Sequence, residues 1–521
     1  MTSFDVIAIG GGHNGLVAAA TLAKAGRKVV VLEAASAVGG AARTEEFAPG
    51  FRVSAVAHLL NRLHPDVVKT LELEKHGLQF ARTDFLPSVA LSTGGPALVL
   101  YGAYGEVLTG ASSAEQSAWK ELRAQLLRYA GILKPFLSRR PPDLAGMSFK
   151  ETAALGQAAL SLKKLGKEDM RDFLRVLLMN VADLLDEQLA DDRLKGLLAF
   201  DATLGSHLGP RSPTSLLGLY YRLAGEAGGA AGAQLLPRGG MGAVVTAIRA
   251  AAEKAGVTIR TSISVAKIIV ENGRAAGVAL DNSEVLRART IVSAINPATT
   301  LLDLVGPREI DTGFLRKVKN IRMKGDAAKL HLALDRPPQF TGADAADHKG
   351  RLVIAPSPDH VERAFNPSKY GEFSPEPVME ITLPSLADPS LAPSGACVLS
   401  AVVQYAPYQL KDGWNAGKPK LLKAIMAQLE SYAPGIGKTV QHSELLTPVD
   451  IEARYRIPGG HWHHGELQAD QMLISRPVSG WSGYDTPLDG LFLAGAGSHP
   501  GGGVSGAPGL NAARRIIAMK G

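Results

Sequence analysis

Apolar residues follow two periods along this chain, and the changes of period mark its organisation. Residues 4–9, "FDVIAI", form a short apolar run. "LVAAATLAKAG" then repeats apolar positions three and four apart, and "RKVVVLEAA" is a second short run. Short runs flanked by glycine read as buried strands, and three-and-four spacing reads as helix. The opening therefore predicts strand, glycine turn, helix, strand.

From about residue 76 the helical period dominates. "SAEQSAWKELRAQLLRYAGILKPFL", "EDMRDFLRVLLMNVADLLDEQLADDRLKGLLAF" and "SPTSLLGLYYRLAG" all keep it, and "AGEAGGAAGAQ" reads as a flexible glycine/alanine stretch. After Gln234 a tight turn at Gly239–Gly242 opens another helix. "GVTIRTSISVAKIIVENGRAAGVAL" reads as strands joined by an Asn272-Gly273 hairpin turn, and "ARTIVSAI" as a further buried strand. "AAKLHLAL", "PVMEITLP" and "ACVLSAVVQYAP" predict a second sheet, with "KPKLLKAIMAQLESYAP" a helix among its strands.

The turn after the first strand narrows the chemistry. Gly10-x-Gly12-x-x-Gly15 has the dinucleotide spacing. Gly10 suits the tight turn, Gly12 lets the backbone approach a pyrophosphate, and Gly15 lets helix pack on strand. The helix N-terminus supplies free N–H groups and a positive dipole end. Glu33 ends the second strand, where a carboxylate accepts hydrogen bonds from an adenosine ribose. Gly39-Gly40 and Arg43 follow; a second glycine approach and a phosphate-pairing arginine favour FAD over NAD. Gly501-x-Gly503-x-x-Gly506 repeats the spacing near the end of the chain, but no second strand follows it. We therefore read no separate NAD(P)H-binding unit.

Composition sets outer bounds. At 521 residues, 46% hydrophobic and 20% charged, the chain reads as an ordinary globular protein long enough for two substantial cores. A net charge of +7 without a dense basic tract, and 6% aromatics, argue against nucleic-acid binding and leave an anionic membrane surface open. The single cysteine, Cys397, excludes an internal disulfide and a catalytic dithiol, and is expected to be buried. No apolar run reaches the ~18 residues that span a bilayer, and no signal peptide is read, so the expected location is cytoplasmic, with or without membrane association.

The segments "IGGGHNGLVAA", "VLEAASAVGGAART", "PRGGMGAV", "SLADPSLAPSG", "PGGHWHHGELQADQM" and "LFLAGAGSHPGGGVSGAPG" span nearly the whole chain. On them it resembles the phytoene-desaturase-like family of FAD oxidoreductases, within the glutathione-reductase/amine-oxidase fold group. The resemblance implies an α/β fold. A Rossmann-type FAD-binding domain, discontinuous over 1–75, 234–310 and 471–521, would interleave with a mixed-sheet substrate domain and helical cap over 76–233 and 311–470. It implies FAD contacts from Gly10, Gly12, Gly15, Glu33, Ala34, Gly40, Arg43 and Val265. Gly495, Gly497, Val504 and Gly506 would close on the same flavin from the C-terminal end.

Candidate catalytic residues are fewer. The resemblance places "GGHWHHGE" near the flavin, making His464 the first candidate for an acid/base or orienting role. His499 and His58 follow, the latter on a strand expected to pass the flavin. Imidazoles two and three positions apart converge poorly, so no metal site is read. Where carotenoid desaturases carry an acidic-glycine-proline-like pattern, this chain has "SAVAHL", which weakens polyene desaturation. The expected activity is hydride transfer between flavin and a small apolar or amphiphilic substrate: dehydrogenation, saturation or isomerisation of a C–C bond, with oxygen or a quinone as acceptor. A flavin amine oxidase and a non-catalytic FAD-bound interaction protein are the alternatives. Peripheral membrane contact and homo-oligomerisation stay open.

Overall fold

A computed structural model describes residues 4–102, 104–141, 156, 159, 160 and 162–519. Its centre is a five-stranded parallel sheet, in the order Thr258–Arg260, Val29–Leu32, Val6–Ile9, Thr290–Ser293, Leu491–Leu493. Strands buried on both faces need continuous apolar runs, and "VIAI", "VVVL" and "LFL" supply them. Alternate residues serve different layers. Val6, Ala8, Val29 and Val31 pack against the helices His13–Lys24, Gly242–Lys254 and Ala507–Ala518. Ile7, Ile9, Val30 and Leu32 pack against a three-stranded antiparallel sheet, Val265–Glu271, Arg274–Leu280 and Val285–Arg287. The hairpin turn falls at Asn272 and Gly273, both at positive φ (52° and 75°), as the Asn-Gly pair predicts.

The second sheet has eight strands, in the order Val440–Leu446, Ala327–Leu334, Cys397–Gln404, Val378–Thr382, Arg351–Ile354, Ser88–Ala90, Leu98–Leu100, Leu108–Thr109. Only the Arg351–Ile354/Ser88–Ala90 pair is parallel. One face is apolar and carries the helix Trp414–Tyr432 through Leu330, Leu332, Leu399 and Ala401. The other face is polar. Register places His331 opposite Ser400, Ser400 opposite Thr382, Thr382 opposite Arg351 and Arg351 opposite Ser88. Lys329, Val402 and Glu380 form the neighbouring row. Cys397 is buried, which lifts its thiol to about 11.

The helical region packs against the Leu98–Leu100 end of this sheet. The periodic stretch 168–200 divides among three helices, Lys167–Val176, Val181–Gln188 and Asp192–Thr203. The two breaks are caps: Asn180 accepts from the Asp183 amide at 2.8 Å and Asp191 from Arg193 at 2.9 Å. Three expectations change here. The glycine/alanine stretch contains an ordered ribbon, Glu226–Ala227 with Ala230–Ala231. The short strands of residues 88–109 belong to the large sheet rather than to the helical region. The strand expected to carry His58 ends at Ser54, leaving His58 on the following bend. Among the described residues no helix is long and apolar enough to cross a membrane.

Candidate functional site

One cavity of about 400 Å³ runs between the two sheets. At one end its wall is backbone. Gly10, Gly12, Gly39 and Gly40 line it together with Glu33, Ala34 and Val265. A Cβ on Gly12 would meet nothing within 4 Å, so this glycine leaves open room where a pyrophosphate would lie. Gly15 does the other job, for a Cβ there would fall 2.1 Å from the Gly10 carbonyl oxygen. The Glu33 carboxylate accepts from the Gly11 amide at 2.7 Å and the Ala35 amide at 2.8 Å, which fixes it at the end of its strand. The Gly39 amide donates to the Gly11 carbonyl at 2.9 Å and brings the second glycine pair beside the first. Arg43 stands apart. It pairs with Glu45 at 3.0 Å, lies 5.5 Å over the Tyr455 ring, and is not on the cavity wall.

The C-terminal strand returns to the same cavity. Ala496, Gly502, Gly503 and Val504 line it, with Val504 at φ 56° three residues ahead of the helix Ala507–Ala518. Gly495 and Gly497 pack behind the wall: their Cβ positions would lie 2.5 Å from the Ala294 carbonyl and 2.3 Å from Pro297. Gly506 turns the chain into the helix at φ 67° against Val17 and Val67.

Beyond this loop the wall changes character. His58, Asp201, Arg222 and Glu380 line the cavity beside Leu204, Val402, Trp462 and Leu467. His58 Nε2 lies 2.7 Å from Glu380 Oε1. Arg351, fully buried, donates through Nε to Glu380 and through both terminal nitrogens to Asp201, which also accepts from Tyr104. Against the cost of burial, Arg351 and the His58 hydrogen bond hold the Glu380 carboxyl well below its usual range. Lys329 is buried next to this group with no hydrogen-bond partner for Nζ among the described residues, and burial pushes its amine well below the usual value.

The histidines divide by place. His58 and His464 line the cavity; burial lowers each to about 4, so both are neutral near pH 7. His464 sits at φ 56°. His463 also faces the cavity, between Tyr221 and Trp462 at ring distances of 6.4 and 6.2 Å. His499 is fully buried and off the wall. Arg476 lies behind these residues and donates to the carbonyls of His463, Gly465 and Ala496, holding the histidine segment against the C-terminal loop. Among the described residues no group of three or more His, Cys, Asp or Glu side chains could hold a metal ion.

Sequence reasoning missed Asp201, Arg222, Lys329, Arg351 and Glu380. A signal was present for two of them. Lys329 in "AAKLHLAL" and Glu380 in "PVMEITLP" are charges inside otherwise apolar strands. Such a charge is buried only with a partner or a function.

A parallel sheet of this order, with a glycine cradle on its first strand, a fixed carboxylate ending its second, and a last strand returning to the same cavity, defines an FAD-binding oxidoreductase fold. The chain belongs to the flavin-containing amine oxidoreductase family, which matches residues 15–517. It is 34% identical to mouse pyridine nucleotide-disulfide oxidoreductase domain-containing protein 2 over 99% of this chain and 93% of that one. Identity to one of the limonene dehydrogenase polypeptides of Castellaniella defragrans is 28%, over 98% and 94%. Phytoene desaturases are also among the relatives, as the motifs lead one to expect. The fold matches the solved structure of cyclohexylamine oxidase from Brevibacterium oxydans with a TM-score of 0.60 at 15% identity, covering 99% of this chain and 98% of that one. FAD is the cofactor, and the expected α/β fold is borne out.

Proposed function

We propose that this flavin-dependent oxidoreductase acts on an apolar or amphiphilic small molecule, at a C–C bond. Bound FAD supplies hydride transfer at its ring N5. The chain supplies the cradle, through Gly10, Gly12, Glu33, Ala34, Gly40 and Val265, and a second wall from Gly502 to Val504. Gly15, Gly495, Gly497 and Gly506 support those walls from behind, while Arg43, paired with Glu45, stays off them.

The observation that carries the reading is the commitment of the carboxylates at the far end. Asp201 and Glu380 are engaged by Arg351, Tyr104 and His58, with Arg222 at 3.5 and 3.8 Å, so an ammonium would have to displace cations already paired to them. One face of Tyr221 is covered by the Arg62 guanidinium, 3.6 Å from the ring centroid, so that ring cannot wall an amine on that side. Leu204, Val402, Trp462 and Leu467 offer apolar contact instead. The names of the limonene dehydrogenase and phytoene desaturase relatives point the same way. We assign His58 and His464, which line the cavity and are neutral at pH 7, the role of orienting substrate.

Anaerobic mixing of the FAD-loaded protein with terpenes, polyenes, fatty acids and primary amines tests the reading. Bleaching of the flavin by a member of the apolar set is expected. Bleaching by amines alone, with hydrogen peroxide released in air, would establish the amine oxidase instead. A protein that binds FAD but is reduced by none of them would be the interaction protein.

A further inference from the structure

Arg222 lies near the end of the helix Leu216–Ala224, buried yet on the cavity wall. The acids nearest to it are already engaged. Asp201 accepts from Tyr104 and twice from Arg351; Glu380 accepts from His58 and Arg351. Arg222 reaches these carboxylates only at 3.5 and 3.8 Å. Good charge-assisted hydrogen bonds are shorter, roughly 2.7–2.9 Å. Its Nε has no hydrogen-bond partner among the described residues. A guanidinium presents its donors in a fixed plane, and buried donors are almost always satisfied.

Arg62 repeats the pattern on the same cavity. It is buried, one N–H donates to the Tyr221 carbonyl at 2.7 Å, and its Nε has no partner among the described residues. This end of the cavity thus holds Arg222 and Arg351 against Asp201 and Glu380, with Arg62 stacked on the neighbouring Tyr221. The short hydrogen bonds to both carboxylates go to Arg351, Tyr104 and His58, which leaves Arg222 with donors to spare.

We infer that the substrate carries a carboxylate on its apolar body, and that Arg222 binds it. The inference rests on the proposed apolar or amphiphilic substrate and names its polar end. Planar, bidentate recognition of a carboxylate is what guanidinium geometry favours. The apolar residues beside Arg222 would take the rest of the molecule.

The test uses the FAD-loaded protein and three probes of one chain length: decanoate, 1-decanol and decylamine. The readout is the shift of the flavin absorption bands on anaerobic titration. Decanoate is expected to shift them saturably, 1-decanol at least about tenfold more weakly, and decylamine not at all over the same range. Arg222→Met should weaken decanoate about tenfold or more and leave 1-decanol unchanged; Arg222→Lys should recover part of the loss. A tenfold change corresponds to about 1.4 kcal/mol. A merely structural role for Arg222 would weaken decanoate and 1-decanol together. The inference is overturned if decylamine binds as well as decanoate, if Arg222→Met keeps decanoate at full affinity, or if all three probes are silent. If Arg222→Met does not retain flavin, the order of the three probes on the unaltered protein decides. Absence of flavin from the unaltered protein would instead overturn the oxidoreductase reading beneath it.

Discussion

At the Glu33 end of the cavity the wall is backbone, and at the Glu380 end it is charged side chain. The cradle uses glycines within a few dozen residues of one another, and its groups are held by amides donating at 2.7–2.9 Å. The far end brings together His58, Asp201, Arg222, Lys329, Arg351 and Glu380 from three separate parts of the chain. A backbone site is cheap to build and tolerant, because its polar groups are satisfied locally. A buried charged layer is tolerant of nothing, since removing one partner strands another in low dielectric.

The largest expected effect tests that second statement. Arg351→Met leaves Asp201 and Glu380 without their main partner, and should destabilise the FAD-loaded protein by ~3–5 kcal/mol or prevent folding. Urea unfolding followed by tryptophan fluorescence measures it. A loss under ~1 kcal/mol would break the comparison, because the layer would then be no more demanding than the cradle.

The cradle makes its own contrast three residues apart. Gly15→Ala drives a methyl to 2.1 Å from the Gly10 carbonyl, where only backbone can yield, and should cost ~1–3 kcal/mol. Gly12→Ala meets no protein atom and Gly12 has φ −66°, which alanine adopts freely. Its apo stability should change by under ~1 kcal/mol while FAD content falls sharply. Retention of full FAD by Gly12→Ala would show that the pyrophosphate does not approach this residue.

The same contrast explains what is legible in the sequence. Gly10, Gly12, Gly15 and Glu33 belong to one strand-turn-helix-strand unit, so their spacing along the chain is already their geometry. The return of the last strand is legible only through the family resemblance, since parallel pairing of Ile291 with Leu491 leaves no local trace. The charged layer depends on register. His331, Ser400, Thr382, Arg351 and Ser88 share a row across five strands whose order, with the Ser88 strand paired beside Arg351, no periodicity announces. Asp201 and Arg222 join it from two helices of the cap. His58 is legible as a candidate histidine but not in its true place, because its apolar neighbours imitate a strand where the chain bends.

Acid sharpens the comparison further. Burial lowers His58 to about 4 from an unfolded value near 6.5. Between those values the unfolded chain holds the proton and the folded one does not. Stability is therefore intact above pH 6.5, falls as pH drops toward 4, and changes no further on this account below that. One such histidine contributes at most ~1.4 kcal/mol per pH unit. Glu380 acts lower, below its unfolded value near 4.5, because its folded value is depressed. Urea midpoints between pH 6.5 and 5 should thus slope less in His58→Asn than in the unaltered protein. An unchanged slope would mean that burial does not hold His58 neutral.

Lys329 is the member of the layer whose loss should hurt least. Its Nζ has no hydrogen-bond partner among the described residues, and burial outweighs the attraction of Glu380. A lysine whose folded value is depressed costs stability at every pH below its unfolded value near 10.5, because the folded state refuses a proton the unfolded state accepts. Methionine keeps the volume and the flexible stem without the amine. Lys329→Met should therefore lose no stability at pH 7 and gain some, the gain shrinking as pH rises toward 10. Arg351 and Lys329 would then mark the two extremes of one layer: a cation that satisfies two carboxylates, and an amine that satisfies none. A loss of ~3 kcal/mol or more in Lys329→Met would mean the amine is charged and paired with Glu380, leaving that carboxylate still less able to neutralise Arg222.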